Sequence, residues 1–506
     1  MLAKVHSGAV LGVDGLSVMV EVDLALGLPM FTTVGLPDGS VRESRERVKA
    51  AIKNCGYDFP PKRITVNLAP ADIKKGGAGF DLPIALGILA AGELFDPTKL
   101  LNYAIIGELS LDGAVRPVPG VLPITLNAKE QGLKGILVPD DNKLEAAVVQ
   151  GIEVIAVTSL HQAVGFLAGK IHCDPVSPEQ DDLLFVNAVY DVDFQEVKGQ
   201  EHVKRAFEIA ASGGHNVSLK GPPGSGKTML ARRLPTILPG MSFDEALETT
   251  KIYSIAGRVT TDTPLIAIRP FRAPHHTISD AGLIGGGQIP RPGEVSLAHN
   301  GVLFLDELPE FKKHVLEVLR QPLEDGDVTI ARANMSLVFP SCFVLVVAAN
   351  PCPCGYYGDK KRECKCTPQQ IQRYGSKVSG PLLDRIDLHL EVGAVPFQEM
   401  NEERMGESSA AIKKRVDVTR EIQTMRYAEN AKIHCNGQMG PSEIVKYCKL
   451  DPPSMRLLER SVEKLGLSAR GYHRILKIAR TIADMDCKQD LELSHVAEAV
   501  QYRRNG

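Results

Sequence analysis

The residues best suited to chemistry form a glycine-rich loop, GPPGSGKT, at positions 221–228 of the 506-residue chain. The loop fits the phosphate-binding pattern G-x-x-x-x-G-K-[ST] at every position, and it lies between a strand-like run (216–220) and a helix-like run (229–234). Its glycines let backbone N–H groups turn inward around a phosphate, and the following helix directs its positive dipole end at the same anion. We expect Lys227 to reach the β- and γ-phosphates and Thr228 to bind Mg²⁺. The other residues predicted to contact the nucleotide are Gly221, Pro222, Pro223, Gly224, Ser225, Gly226 and Met229.

Two acidic residues in the sequence VLFLDEL (302–308) complete this site. The apolar residues predict a strand that is buried on both faces and ends at Asp306 and Glu307. We expect Asp306 to hold Mg²⁺ through water and Glu307 to polarise the attacking water as a general base. An acidic pair after a strand is also typical of a helix cap, but its combination with the upstream loop favours nucleotide hydrolysis.

Four cysteines form two close pairs within PCPCGYYGDKKRECKC (351–366). Two such pairs suit a tetrahedral Zn²⁺ ion, although the C-x-C spacing differs from the commoner C-x₂-C. In a reducing compartment a metal is favoured over disulfides, and four reduced structural cysteines are the alternative. The residues between the pairs are basic and aromatic, which suits nucleic-acid backbones and stacked bases. The predicted zinc ligands are Cys352, Cys354, Cys364 and Cys366, and the residues between them include Tyr356, Tyr357, Lys360, Lys361 and Arg362.

The composition excludes several classes of protein. Hydrophobic residues make up 44% of the chain and charged residues 24%, which is typical of globular domains and not of disordered or collagen-like chains. At about 100–200 residues per domain, the length predicts about three domains. No apolar run reaches the ~18–20 residues needed to span a bilayer, and the first residues contain no signal-peptide core, so we expect a cytoplasmic protein without a membrane partner. A net charge of −3 gives no indication of nucleic-acid binding.

The pattern of predicted elements divides the chain around a polar, proline-containing linker at 171–184. Residues 1–170 alternate strand-like and helix-like runs, which predicts an α/β or α+β domain. Residues 185–398 predict a second α/β domain, with a β-hairpin whose turn we expect around Glu324–Gly326. A helix is the alternative for the first arm of this hairpin, which ends near Arg320–Pro322. From 399 to 506 helical spacing dominates, which predicts an all-α domain.

The sequence DFQEVKGQEHVKRAFEIAASGGHNVSLKGPPGSGKTMLARRLP (193–235) resembles the AAA+ ATPases, specifically their magnesium-chelatase-like branch. The resemblance implies that the nucleotide is ATP and that Val197 and Gln200 contact its adenine. It also implies that Asn350, at the end of FVLVVAAN, is the sensor-1 residue near the attacking water.

Two further segments resemble parts of the same branch that supply arginines. GPLLDRIDLHLEV (380–392) resembles the segment that presents an arginine finger to a neighbouring subunit, which assigns that role to Arg385. LSARGYHRILKIARTIAD (467–484) resembles the sensor-2 helix, in which Arg470 is the best match and Arg474 the alternative. For any one of these arginines, a solvated helix face is the ordinary interpretation. A finger that serves a neighbour requires a ring, and the resemblance implies a homo-hexamer.

Two insertions indicate what such a ring would grip. Residues 269–301 resemble the helix-2 insert of chelatases and replicative helicases, and residues 323–340 resemble their pre-sensor-1 hairpin; both elements face the central pore in those relatives. Arg291, Lys312 and Arg332 are candidates for phosphate contacts that do not depend on base sequence. For each of them singly, an ordinary surface residue is the simpler interpretation.

Residues 35–170 resemble the proteolytic domain of Lon, a ribosomal-protein-S5-like fold, through the sequences at 63–91 and 105–142. Lon-type proteases use a serine–lysine dyad in which the lysine activates the serine hydroxyl. The resemblance assigns Ala78 to the serine position and Leu122 to the lysine position, and neither residue can do this chemistry. We therefore expect that the fold is retained and that proteolysis is lost.

The order of these parts resembles the ComM/YifB family along nearly the whole chain: an S5-like α+β domain, an α/β AAA+ P-loop core and a helical C-terminal lid. The resemblance implies a hexameric, ATP-driven DNA helicase that promotes branch migration in homologous recombination and natural transformation, with single-stranded or branched DNA in its pore. The alternatives are a metal-insertion motor such as magnesium chelatase, an unfoldase or protease acting on a protein partner, and a scaffold that uses ATP only as a switch. Ala78 and Leu122 disfavour proteolysis, and Glu307 and Arg385 disfavour a pure switch.

Overall fold

The computed structural model describes residues 1–73, 75–176, 190–287, 290–332, 335–359, 362–394, 406–430 and 433–503. The second half of the predicted linker (177–184) lies outside these residues, as do the predicted boundary at 398, Lys360, Lys361 and the side chain of Arg332. The domain boundaries therefore stay predictions.

The first part of the chain is built on a seven-stranded mixed sheet. Its elements are β1 (Leu2–Leu11), β2 (Asp14–Ala25), β3 (Met30–Val34), β4 (Arg63–Ala69), β5 (Tyr103–Ile105), a small separate pair β6 (Glu108–Leu109) and β7 (Val115–Arg116), β8 (Gly135–Pro139) and β9 (Glu153–Val157). The spatial order is β3-β4-β2-β1-β5-β8-β9. The β1–β2 and β2–β4 pairs are antiparallel, and the other neighbours are parallel.

Helices cover both faces of this sheet. Successive side chains of a strand point to opposite faces, so they pack into two different cores. Leu137 of β8 belongs to the cluster around the helix Asp81–Ala91, whereas its neighbour Val138 belongs to the cluster around the helix Val121–Glu130. Every residue of Asp81–Ala91 is buried, as expected for a helix without a polar face. The remaining α-helices of this part are Gly39–Asn54, Lys143–Ala147 and Leu160–Leu167.

The second part contains a five-stranded sheet in which all neighbours are parallel. The strands of this part are β10 (Val217–Lys220), β11 (Phe271–Arg272), β12 (Gly285–Gly286), β13 (Arg291–Pro292), β14 (Val302–Leu305), β15 (Asp327–Arg332), β16 (Met335–Pro340), β17 (Val344–Ala349) and β18 (Leu388–Glu391). The sheet order is β11-β14-β17-β10-β18, and β12–β13 and β15–β16 form separate antiparallel pairs. Because the sheet strands run the same way, all their carboxyl ends lie at one edge of the sheet.

Helices also cover both faces of the five-stranded sheet. Phe304 of β14 packs into one cluster with residues of the helices Glu201–Gly213 and Lys227–Ile237. Its neighbour Leu305 packs into another, with residues of the helix Lys313–Glu317. The other α-helices of this part are Phe243–Ile255, Asp280–Ile284, Glu294–Leu297, Pro322–Asp325, Pro368–Gly375 and Gly380–Leu383.

The C-terminal part is helical and shares a core with the second part. Its α-helices are Ser409–Arg426, Pro441–Tyr447, Pro452–Leu465, Ala469–Met485 and Leu493–Gln501. Ile478 and Phe207 lie in the same buried cluster, so the helical part packs directly on one face of the parallel sheet domain. Its role as a lid over the nucleotide stays a prediction. Within the described residues, none of the helices combines the length and the apolar composition needed to cross a membrane.

The predicted position of the β-hairpin turn is wrong. Residues 322–325 form a short helix that ends at Gly326, whose φ of +75° is the left-handed conformation favoured by glycine at helix ends. The hairpin strands are β15 and β16, which pair from Asp327 opposite Pro340 to Arg332 opposite Met335. Gly326 therefore lies before the first hairpin strand, because it ends a helix instead of reversing the chain.

A buried contact joins the first and second parts of the chain. Leu122, assigned above to the Lon lysine position, has no exposed surface and lies in one apolar cluster with Ala246 and Leu265 of the second part. Beside it, the Ser254 hydroxyl donates a hydrogen bond to Glu145 Oε1 at 2.5 Å. Burial raises the pKa of the Glu145 carboxyl. The position therefore serves packing between domains.

Replacing Leu122 by alanine should destabilise the protein by about 2–5 kcal/mol, because the change deletes buried methyl groups from this contact. Unfolding in urea, followed by circular dichroism, measures the effect. Leu111→Ala is the matched control, since Leu111 is exposed and its loss should cost no more than about 0.5 kcal/mol. Equal stability of the two variants would contradict the packing described here.

Candidate functional site

The glycine-rich loop lies at the carboxyl end of β10 and leads into the helix Lys227–Ile237. Gly224 and Gly226 have φ angles of +76° and +89°, so both turns of the loop need the conformational freedom of glycine. The helix that follows begins directly at the loop and directs its N-terminal dipole end toward it. This geometry suits a bound phosphate.

The ammonium of Lys227 lies inside the loop. It donates to the carbonyl oxygens of Gly221 (2.8 Å) and Pro222 (2.9 Å) and to Asn350 Oδ1 (3.2 Å). Burial lowers the pKa of Lys227, and the nearby charge of Asp306 opposes that shift. The structure thus brings Asn350, at the end of β17, into contact with the lysine of the loop.

The two residues predicted to bind Mg²⁺ lie together. The Thr228 hydroxyl donates to Asp306 Oδ2 at 2.7 Å, and Asp306 Oδ1 accepts from the backbone N–H of Glu307 at 2.9 Å. A hydroxyl and a carboxylate oxygen at one point are hard donors of the kind that Mg²⁺ prefers. The donor set therefore fits the metal that the loop implies.

Glu307 differs from its neighbour in exposure and backbone. Its side chain is 55% exposed, and its φ of +52° is an uncommon conformation for a residue other than glycine. Strained backbone of this kind is frequent at functional sites. His276 Nδ1 lies 3.6 Å from Glu307 Oε2, and the rings of His275 and His276 are 4.1 Å apart. The sequence offered no reason to place His276 here, because its only signal was the HH dipeptide within the predicted helix-2 insert.

The residues predicted to contact the adenine or the phosphates, Val197, Gln200 and Met229, differ from one another in their surroundings. Gln200 Nε2 donates to the carbonyl oxygens of Ser225 (3.0 Å) and Gly393 (3.1 Å), so it links the loop to the residues after β18. Val197 is buried in the main core, whereas Met229 lies partly exposed in the first turn after the loop. Gln200 and Met229 therefore lie beside the phosphate loop, and the adenine contacts stay predictions.

The residue assigned to the arginine finger lies at the opposite edge of the sheet. Arg385 precedes β18, and its carbonyl oxygen accepts a hydrogen bond from the side chain of Asn216, which precedes β10. The Arg385 guanidinium is only 3% exposed; it donates to the Glu324 carboxylate and, at 2.5 Å, to the carbonyl oxygen of Pro381. Arg385 is therefore separated from the chain's own phosphate loop by the length of the strands.

The two arginines considered for sensor 2 differ in availability. Arg470 Nη2 lies 3.2 Å from the same Glu324 carboxylate, and its side chain is 59% exposed. Arg474 instead forms an ion pair with the buried carboxylate of Asp387. Burial alone would raise the pKa of Asp387, but Arg474 and His215 hold it well below its usual range. Arg474 thus has a structural partner, and Arg470 lies beside Arg385.

The four clustered cysteines converge. Their Sγ atoms all lie within 4.8 Å of one another, and the separations Cys352–Cys354, Cys354–Cys364 and Cys352–Cys364 are 3.3, 3.6 and 3.7 Å. Tetrahedral Zn²⁺ with Zn–S bonds of about 2.3 Å requires sulfur atoms about 3.8 Å apart. The backbone N–H of Cys354 also donates to Cys366 Sγ at 3.4 Å. Both the donor chemistry and the spacing fit zinc.

The cysteine loop contacts the phosphate loop. Gly355 has a φ of +86°, and a Cβ atom added there would lie 2.5 Å from Pro223 Cδ. Only glycine allows this approach. Next to it, the Arg362 guanidinium lies 5.1 Å above the ring of Tyr356 and donates to its hydroxyl. The cysteine loop therefore packs on the nucleotide site and carries a cation and an aromatic ring.

Basic residues within the predicted inserts and between them fall into two groups. Arg269 is bonded to three carbonyl oxygens and Glu245, and Arg272 forms a two-point ion pair with Glu294. Both are therefore structural. Arg291 and Lys312 are exposed. Their proposed contacts with phosphates stay predictions.

Comparison with known families gives three matches along the chain. Residues 20–142 match the family described as "Subunit ChlI of Mg-chelatase", residues 193–400 match "Magnesium chelatase, subunit ChlI", and residues 406–503 match "Magnesium chelatase, subunit ChlI C-terminal".

Curated relatives match the whole chain. It is 44% identical over 504 residues to "Uncharacterized protein YifB" of Escherichia coli (strain K12) and 44% identical over 505 residues to "Competence protein ComM" of Haemophilus influenzae. Each alignment covers 99% of this chain and 97% of the relative. A "Magnesium-chelatase 38 kDa subunit" of Rhodobacter capsulatus is 26% identical over 204 residues, which covers 37% of this chain and 55% of that protein.

Two substitutions separate binding of the nucleotide from its hydrolysis. Lys227→Ala should abolish ATP binding, because the loop loses its only ammonium group directed at the phosphates. Glu307→Gln should bind ATP normally and lower kcat by about 10²–10⁴-fold, the usual contribution of a general base. Equilibrium binding of a fluorescent ATP analogue and a phosphate-release assay measure the two effects. Glu310→Gln, which alters an exposed carboxylate three residues away, is the control; unchanged turnover in Glu307→Gln would refute the assignment.

Elemental analysis of the purified chain should find one zinc per protomer. Double replacement of Cys354 and Cys364 by serine should release it, since two thiolate ligands are lost. Because Gly355 packs on Pro223, the same variant should also bind ATP more weakly. Cys487→Ser, at an exposed cysteine outside the cluster, should retain the metal. Wild-type protein without zinc would contradict the assignment.

Proposed function

The chain belongs to the magnesium-chelatase family, in its ComM/YifB-type branch, and on this premise we propose that it is an ATP-driven motor that acts on DNA. In this proposal the phosphate loop binds ATP, Thr228 and Asp306 hold Mg²⁺, and the four clustered cysteines hold Zn²⁺. When bound, Mg²⁺ neutralises charge on the phosphates.

The observation that carries the proposal is the position of Arg385, which lies at the edge of the sheet opposite the glycine-rich loop. Lys227, Thr228, Asp306 and Asn350 meet at the carboxyl edge, whereas Arg385 lies at the other. A finger at that edge cannot reach the phosphates bound by its own chain. It can reach those of a neighbour in a head-to-tail contact, and such contacts close into rings. We infer a homo-hexamer, the subunit number that the resemblance implies.

Within this ring the chain's own residues perform hydrolysis. Lys227 binds the β- and γ-phosphates, and Asn350 orients the attacking water. Glu307 accepts the proton of that water through its exposed carboxylate. Arg385 of one protomer stabilises the charge on the transferred phosphoryl group in the next, and Arg470 joins it from the same patch.

The choice of DNA as the polymer rests on the relatives and on chemistry. A relative covered over 97% of its length is named for competence, the uptake of DNA, whereas the chelatase subunits align over about two-fifths of this chain. Arg291, Lys312 and the Arg362–Tyr356 pair offer cationic and aromatic contacts that suit phosphates and bases. We propose helicase activity that promotes branch migration in homologous recombination and natural transformation.

An ATPase assay on the purified full-length chain, with and without four-way, forked and single-stranded DNA, tests this function. We expect branched DNA to stimulate turnover about tenfold or more, and the stimulation to fall steeply with salt because the contacts are with phosphates. Migration of a labelled four-way junction provides a second readout. ATPase activity that no DNA stimulates would instead favour a motor acting on a protein partner, as in the chelatase and unfoldase alternatives.

Mixing two inactive variants tests the shared site. Lys227→Ala protomers cannot bind ATP but retain Arg385, whereas Arg385→Ala protomers bind ATP but lack the finger. Each variant alone should hydrolyse ATP at least about 10³-fold more slowly than wild type. Equimolar mixtures should recover activity, because Lys227→Ala protomers supply Arg385 to intact neighbouring loops. Mixtures as inactive as the separate variants would exclude a finger that acts between subunits.

A further inference from the structure

One carboxylate connects three elements that the proposed motor must coordinate. Glu324 lies on the short helix Pro322–Asp325, which passes through Gly326 directly into β15 of the hairpin. Its carboxylate is the ion-pair partner of Arg385, on the segment before β18, and of Arg470, in the first turn of the helix Ala469–Met485. The base of the hairpin, the core and the helical part therefore meet at Glu324.

The Arg385–Glu324 contact differs from an ordinary surface ion pair. Exposed pairs contribute little to stability, because water screens them and flexible side chains lose entropy. Arg385 is instead almost fully buried, and its Nε has no hydrogen-bond partner among the described residues. Burial lowers the pKa of Arg385, and Glu324 opposes that shift. The Glu324 carboxylate is thus the charged partner of this buried guanidinium, and the Pro381 carbonyl oxygen is its neutral one.

The surroundings of Glu324 leave room for movement. Three cavities, of about 730, 500 and 160 Å³, are each lined in part by Glu324. The largest lies between the sheet domain and the helical part, and the second also contains Val328 of β15 and Arg385. The Glu324 carboxylate therefore has open space beside it into which it can move.

We propose that Glu324 is a positioning residue that holds Arg385 and Arg470 side by side for the neighbouring subunit's ATP and couples their position to the β15–β16 hairpin. The inference rests on the proposed function, since it requires arginines that act between subunits. It adds to that function a physical link between the hairpin and the hydrolysis step. Asp325, the adjacent acidic residue on the same helix, provides a matched control.

Mixed rings test the proposal through the donor protomer alone. Arg385→Ala protomers serve as acceptors with intact phosphate loops, and Lys227→Ala protomers serve as arginine donors. Adding Glu324→Gln to the donor should lower the recovered kcat about fivefold or more and leave the acceptor's KM for ATP within about twofold, because only the donated arginines are misplaced. Adding Asp325→Asn to the donor should change neither value. Equal recovery with Glu324→Gln and Asp325→Asn donors would overturn the proposal.

A second measurement tests the coupling to the hairpin in rings built from a single variant. Glu324→Gln should reduce the ratio of DNA-stimulated to DNA-free turnover, whereas Asp325→Asn should retain the wild-type ratio; equal ratios would overturn the coupling. If size-exclusion chromatography shows that Glu324→Gln does not form rings, Glu324→Asp replaces it. Aspartate keeps the charge but is shorter, so this variant should still lower the recovered kcat in mixed rings. If DNA does not stimulate the wild-type ATPase, the proposed function and the coupling to the hairpin are both wrong. The comparison of Glu324→Gln and Asp325→Asn donors in mixed rings would still decide whether Glu324 positions the arginines. Mixtures without any recovery would defeat both.

Discussion

The arrangement of the whole site depends on the parallel pairing of β10, β14 and β17. Because these neighbouring strands run the same way, the residues that follow them are brought to one edge although they are far apart in sequence. The hydrogen bond between Thr228 and Asp306 and the contact between Lys227 and Asn350 both result from this pairing. The same constraint sends residues that precede the strands, Arg385 among them, to the opposite edge. The separation of Arg385 from the glycine-rich loop is thus a geometric consequence of the sheet.

Much of the site could be predicted because its signals are local. The phosphate loop, the acidic pair and the cysteine pairs each lie within a short stretch, and the spacing of residue types encodes their chemistry. The helices after residue 406 were predicted as well, since their apolar periodicity is also a local signal. Contacts between distant segments carry no such signal, and neither the Glu324–Arg385 pair nor the approach of His276 to Glu307 could be found from the sequence.

Two strands of the first sheet, β1 and β3, have only weak signals in the sequence. β1 alternates buried and more exposed residues, but its inward positions include Ala3 and Ser7, which give a weak hydrophobic pattern. β3 is an edge strand whose residues stay partly or largely exposed. In the hairpin, glycine was interpreted as a strand turn, whereas Gly326 ends a helix. For β1 and β3, pairing with neighbouring strands decided what local propensity left open.

The cysteine loop has a mechanical relation to hydrolysis that does not require DNA. Cys352 follows Asn350 by two residues, so the first ligand pair continues directly from the residue that contacts Lys227. Gly355 then packs on Pro223, which returns the loop to the other side of the same phosphate site. A single ion bound by the four thiolates would fix the distance between the Asn350–Lys227 contact and the Gly355–Pro223 contact. The reason is that a tetrahedral site tolerates little change in the spacing of its sulfur atoms. On this argument a bound metal would brace Asn350 and the phosphate loop against each other. Any contact of Arg362 and Tyr356 with a nucleic acid would then act on a loop that packs against the candidate nucleotide site.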